Sequence, residues 1–102
     1  MVNFIANHAD FNTCIKENKK VVVDFTATWC PPCQMIGPKF VAMAPEFPEW
    51  TFVKVDVDAN EETSQAMGIE CMPTFKFFVG GVEVGVLQGA DENGIKQKLG
   101  SL

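Results

Sequence analysis

The stretch Val21-Val22-Val23-Asp24-Phe25 constrains the fold more than any other part of the chain. β-Branched residues in an unbroken apolar run suit a strand buried on both faces, in the middle of a sheet that is covered on its two sides. The one acid inside the run is the anomaly. A carboxyl group among apolar neighbours is desolvated, which penalises its charged form and suits it to proton exchange near neutral pH.

The other elements can be placed around this strand. Val2 to Ile5 reads as a short strand, and Phe11, Cys14 and Ile15, at i, i+3 and i+4, mark an amphipathic helix from His8 to Asn18 that ends at Lys19-Lys20. A second helix is expected from about Pro32 to Phe47. Proline is tolerated in its first turn, whereas Pro38 in its interior removes a hydrogen bond and should kink it. Thr51 to Val57 alternates apolar and polar residues as a strand does, and Glu61 to Met67 suits a short helix stopped by Gly68. Thr74 to Val79 and Val82 to Gln88 read as strands joined through Gly80-Gly81, a pair able to take positive φ. Asp91 to Leu99 forms a last helix. This order predicts an α/β fold whose sheet is parallel at first and gains an antiparallel edge from the final hairpin.

The chain has 102 residues with no internal repeat, charge block or Pro/Gly/Ser-rich linker, so one domain over residues 1–102 is expected. Hydrophobic residues at 47% and charged residues at 21% exclude a disordered or low-complexity chain. A net charge of −5 argues against a nucleic-acid backbone or an anionic membrane as partner. The first residues turn polar before a signal-peptide core could form, and no run approaches membrane-spanning length, so a cytoplasmic location is expected. Four cysteines are too few for a secreted disulfide scaffold of this length and point to redox, metal-binding or buried thiols.

Cys30-Pro31-Pro32-Cys33 follows the central strand and opens the second helix. Unpaired N–H groups and the helix dipole stabilise a thiolate at Cys30 in an exposed, electropositive place, and a thiolate is the species that attacks a disulfide. Two intervening residues bring Cys33 close enough to close a disulfide with Cys30, so the pair can cycle between dithiol and disulfide. The rival reading is a zinc half-site completed by Cys14 and Cys71, but zinc sites draw ligands in close pairs, and the chain has no second CxxC or nearby His. No metal or cofactor is therefore assigned. Cys14 shares the apolar face of its helix with Phe11 and Ile15 and reads as an inert thiol, while His8, the only histidine, does no more than begin that helix. Asp56 and Asp58 read as a solvated strand face and strand end.

The chain resembles the thioredoxin family over its whole length. The matching marks are Asp24-Phe25 ahead of Ala27-Thr28-Trp29-Cys30, Pro38, Lys54-Val55-Asp56-Val57-Asp58, Met72-Pro73-Thr74-Phe75, Gly80-Gly81 and Gly89-Ala90. The resemblance implies a mixed central five-stranded sheet flanked by four helices, a cis Met72-Pro73 bond and reduction of protein disulfides, with Cys30 as nucleophile and Cys33 as resolving thiol. It implies that Asp24 takes the proton of Cys33, with Lys54 as a partner that moderates the acid; a structural ion pair of the two is the plainer alternative. It also implies that clients dock against Trp29, Pro31, Pro32, Met72, Pro73, Gly89 and Ala90, with Met72 pairing to the client backbone as an added strand. Disulfide-containing proteins are the expected clients, and an NADPH-dependent thioredoxin reductase is the expected electron donor. A monomer is expected, and Cys71, at the recognition rim, could act as a regulatory thiol or link two copies. Two departures stand out: Pro31 where the family usually has Gly, and Gln34 where it usually has Lys or Arg. Cys-Pro-Pro-Cys recurs in tryparedoxin-like and nucleoredoxin-like proteins, whose usual insertions are absent here. The alternative from another class is a redox-gated binding module without turnover.

Overall fold

The computed structural model describes residues 2–102. Along the chain come β1 (Asn3–Phe4), α1 (His8–Glu17), β2 (Lys20–Thr26), α2 (Pro31–Met43), β3 (Thr51–Asp56), α3 (Glu61–Ala66), β4 (Thr74–Val79), β5 (Val82–Gln88) and α4 (Glu92–Ser101). The strands form one five-stranded sheet in the order β1-β3-β2-β4-β5. β2, which carries the Val21 to Phe25 run, is its centre, and every residue of that run is buried. β1 and β2 each pair with β3 in parallel, whereas β4 pairs antiparallel with both β2 and β5. The antiparallel part thus comes from the final hairpin, whose turn residues Gly80 and Gly81 have φ of 61° and 81°.

Strand alternation sends side chains to two cores. On one face Val22, Phe52, Phe75 and Phe77 pack with Ile36, Phe40 and Met43 of α2 and Ile95 and Leu99 of α4. On the other, Val21, Val23, Phe25, Val55 and Phe78 pack with Phe11 and Ile15 of α1, and Met67 and Ile69 flank them after α3. Each such large side chain contributes roughly 1.5–3 kcal/mol over its exposed state, so the two clusters hold the helices to the sheet. α2 is shorter than its sequence pattern suggests. Pro45 lacks the N–H that would continue the ladder, and Ala44–Glu46 tighten into a 3₁₀ turn.

One row of residues crosses the sheet on the α2 and α4 face. Phe4 stands opposite Lys54, Lys54 opposite Asp24, and Asp24 opposite Phe75.

Candidate active site

β2 ends at Thr26, and after three intervening residues the chain enters α2 with Cys30 as its N-cap. Cys30 has extended backbone, and its Sγ accepts the N–H of Cys33 at 3.3 Å, so an otherwise unpaired first-turn donor points at the sulfur. Pro31 and Pro32 occupy the first turn, where a missing N–H leaves no helical bond unmade. Cys30 and Cys33 are joined in a disulfide, with their Cα atoms 5.3 Å apart.

The exposure expected for this place is not what the structure has: Cys30 is 5% exposed and Cys33 2%. Ala27, Val57 and Met72, from three separate segments, pack around the sulfurs, and the Met72 carbonyl oxygen lies 3.7 Å from Cys30 Sγ. Solvent instead meets the rim. Trp29, 63% exposed, Pro31, Pro32 and Met35 present an apolar surface beside the disulfide. Trp29 Nε1 donates to Asp58 Oδ2 at 2.8 Å, and Asp56 Oδ1 accepts the N–H groups of Asp58 and Ala59. Asp56 and Asp58 are therefore part of the site's scaffold and not only a solvated strand end. Met35 also joins the face, with Gln34, whose amide donates to the Ala27 carbonyl at 2.9 Å.

The second wall is the segment before β4. The Met72-Pro73 bond is cis, and the Pro73 carbonyl accepts the N–H of Gly89 at 2.9 Å. Gly89 has φ 97°, a conformation open to glycine, so Gly89-Ala90 turns beside Met72-Pro73. Cys71 is exposed at the start of this wall, and its carbonyl accepts the Thr74 hydroxyl at 2.7 Å. Cys14 stays apart, half-buried on α1, where burial pushes its thiol up. His8 does more than begin α1: its Nδ1 meets Thr63 Oγ1 at 3.1 Å, tying α1 to α3.

On β2, the strand that leads into the cysteine pair, Asp24 is fully buried, and neither carboxylate oxygen has a hydrogen-bond partner among the described residues. Burial pushes its carboxyl up to about 7, and the nearby positive charge of Lys54 opposes the rise. The ion pair weighed as the plainer alternative is not formed. Lys54 Nζ instead lies 5.6 Å from the centre of the Phe4 ring. A cavity of about 480 Å³ brings Lys54 and Phe4 to the same space as the second cysteine, lined by Cys33, Gln34 and Gly37 of α2 together with Phe4, Lys54 and Asp56.

A buried cysteine pair on a helix N-terminus, an unpaired buried acid on the strand leading to it and a cis-proline wall beside it coincide with a match to the thioredoxin family model over residues 2–101. The chain belongs to the thioredoxin family. It is 52% identical to a thioredoxin of Geodia cydonium over 102 residues, covering 97% of this chain and 96% of that one. A thioredoxin of Ictalurus punctatus is 44% identical, again with 97% and 96% covered. Among solved structures, Fasciola hepatica thioredoxin superposes with a TM-score of 0.94 at 44% identity, covering 97% of each chain. Thioredoxins exchange dithiol for disulfide on disulfide-containing substrates and are themselves reduced by thioredoxin reductase. This thioredoxin-family chain is likewise a thiol-disulfide oxidoreductase, with Cys30–Cys33 as its redox pair. No described helix is long and apolar enough to cross a membrane.

Proposed function

We propose that Cys30 is the attacking thiol and Cys33 the resolving one in a single thioredoxin domain over residues 1–102. The observation that carries this reading is the Cys33 N–H aimed at Cys30 Sγ at 3.3 Å. That donor stabilises negative charge on Cys30, while among the described residues no equivalent donor serves Cys33. In the first step the Cys30 thiolate attacks one sulfur of a client disulfide; a Cys30–client S–S bond forms and the client's other sulfur leaves as a thiolate. In the second, Cys33 gives its proton to Asp24, attacks Cys30 Sγ and expels the second client sulfur. Two electrons pass to the client, and the Cys30–Cys33 disulfide remains. A pKa of about 7 lets Asp24 accept that proton and release it in the same pH range.

Recognition falls to the surface around the pair: Trp29, Pro31 and Pro32 on one side, Met72, Pro73, Gly89 and Ala90 on the other. An extended client segment lies across the Met72 backbone as an added strand, so main-chain bonds carry affinity with little demand on sequence. The clients are disulfide-containing proteins, the reductant is an NADPH-dependent thioredoxin reductase, and the working place is the cytoplasm. The protein acts as a monomer, with exposed Cys71 available as a regulatory thiol or for a disulfide between two copies. Pro31, at the place where the family usually has glycine, makes the Trp-Cys-Pro-Pro-Cys motif atypical and tunes the redox balance rather than the chemistry.

The assignment is tested by incubating Cys33→Ser and Cys30→Ser variants with oxidised cell extract. Cys33→Ser accumulates mixed disulfides with clients and Cys30→Ser none. Equal trapping by the two variants refutes the order of attack.

A further inference from the structure

The row Phe4, Lys54, Asp24 holds three residues from three adjacent strands in register on one sheet face. Lys54 is the middle member and has two neighbours it could serve: an unpaired carboxyl on one side and an exposed aromatic ring on the other. The carboxylate is the stronger attractor for an ammonium in a low-dielectric place. Yet Asp24 has no hydrogen-bond partner, and the Lys54 ammonium stands 5.6 Å from the Phe4 ring centre, within cation–π range. A β-carbon on Gly37 would lie 3.4 Å from Lys54 Nζ, so the ammonium rests against the bare backbone of α2 on the cavity side. Phe4 itself is 59% exposed, a large apolar side chain that contributes little to either core.

We infer that Phe4 is a positioning residue: its ring holds the Lys54 ammonium on the β1 side of the cavity and keeps it from pairing with Asp24. The carboxyl is thereby left in the unpaired state that a proton acceptor for Cys33 requires. This deepens the reading of Asp24 given above and rests on it for its bearing on catalysis.

Among the described residues, Lys54 is the charge that bears on Asp24. β4 places Phe75 opposite it, and the neighbouring Lys76 is engaged with Glu83 of β5. On α2 and α4, Lys39 and Lys96 are both paired with Glu92. Asp56 lines the cavity but spends Oδ1 on the N–H groups of Asp58 and Ala59, and Cys33 is held in the disulfide. The position of Lys54 is therefore the adjustable electrostatic element, and Phe4 is what fixes it.

The experiment is a carboxyl-carbon NMR titration of Asp24 in the oxidised protein, where neither Cys30 nor Cys33 titrates. Phe4→Leu keeps an apolar residue on the strand but removes the ring face; Lys54 is freed to approach Asp24, and the midpoint falls by roughly half a pH unit, the size of an exposed cation–π contact in those terms. Phe4→Trp, which restores a π-face, keeps the original midpoint. In a Lys54→Gln background, Phe4→Leu moves the midpoint no further. An unmoved midpoint in Phe4→Leu overturns the inference, and so does an equal fall in the Lys54→Gln background, which would assign the effect to hydration of the cavity. The titration does not depend on turnover, so it is separable from failure of the proton-acceptor role, which is read from the reduction rate of Asp24→Asn.

Discussion

Two buried polar places in this small protein are built on opposite terms. At the start of α3, Asn60 is 4% exposed and leaves nothing unpaired: its Oδ1 accepts the Thr63 N–H at 3.3 Å, its Nδ2 donates to the Ile5 carbonyl at 3.3 Å, and its carbonyl accepts the Ser64 hydroxyl at 3.2 Å. In β2, Asp24 is as deeply buried and has no partner for either oxygen. An unmade hydrogen bond on a buried group costs about 1–3 kcal/mol, more for a charge, so a site that only had to hold the fold together would resemble Asn60. The difference separates a group whose bonds serve the structure from one left unpaired at the structure's expense, as the proposed proton acceptor would need to be.

The largest expected effect comes from removing the unpaired acid. Burial raises the folded-state pKa of Asp24 from 3.8 to about 7, so between these values the folded chain holds a proton that the unfolded chain has released. Folding stability therefore falls as pH rises through this window, by an amount on the order of 4 kcal/mol, and the loss is complete above it. Asp24→Asn abolishes this dependence. Asparagine still leaves polar atoms unpaired, so the variant should gain about 3 kcal/mol over the wild type near pH 8 and nothing near pH 4. Denaturant unfolding of the two oxidised proteins at both pH values measures it, and a variant no more stable at the higher pH would contradict the account. If Asp24 takes the proton of Cys33 as proposed, disulfide reduction by the variant near neutral pH should also be slower.

The opposite sign is expected at the other place. Asn60→Ala removes the α3 cap and strands the Thr63 N–H, a loss of about 2 kcal/mol that is the same on the acid and neutral sides because no titrating group is involved. Unchanged stability in Asn60→Ala would mean that buried polar groups here carry little structural weight, and the contrast with Asp24 would lose its meaning.

How much of this could be read beforehand follows from which contacts are local. The Val21 to Phe25 run announces a central strand, and the acid within it announces a perturbed carboxyl, because both depend on the residue's own apolar surroundings. The Cys30–Cys33 pair is equally local, being one turn of a helix entrance. The burial of Cys30 was not legible: the covering groups Val57 and Met72 come from segments that meet only when β3 and β4 flank β2. The Trp29–Asp58 bond has the same character, joining residues 29 positions apart, and Asp58 alone looks like any acid at a strand end. Lys54 could be matched to Asp24 across two strands. That its ammonium stands over the Phe4 ring could not, because that contact depends on β1 docking on the far side of β3.

The smallest expected effect returns to a likeness between the two places. α3 and α2 are capped alike, with a side-chain acceptor on the residue before the helix taking an N–H three residues on, at 3.3 Å in both cases: Asn60 from Thr63, Cys30 from Cys33. They differ in the two residues between, Glu61-Glu62 in one and Pro31-Pro32 in the other. Neither proline has an N–H to offer the Cys30 sulfur, so replacing Pro31 by glycine leaves the donor from Cys33 in place, and the thiolate absorbance titrations of the two proteins should superimpose. What changes is backbone freedom. Proline fixes φ in dithiol and disulfide alike, whereas glycine lets the open dithiol sample conformations that the closed ring forfeits. Pro31→Gly therefore favours the dithiol and makes the reduction potential less negative, by about 15 mV for roughly 0.7 kcal/mol in a two-electron couple. Equilibration of both proteins against a glutathione buffer resolves a change of that size. A potential that does not move, or one that moves together with the thiolate titration, would show that the motif acts through its donors and not through its stiffness.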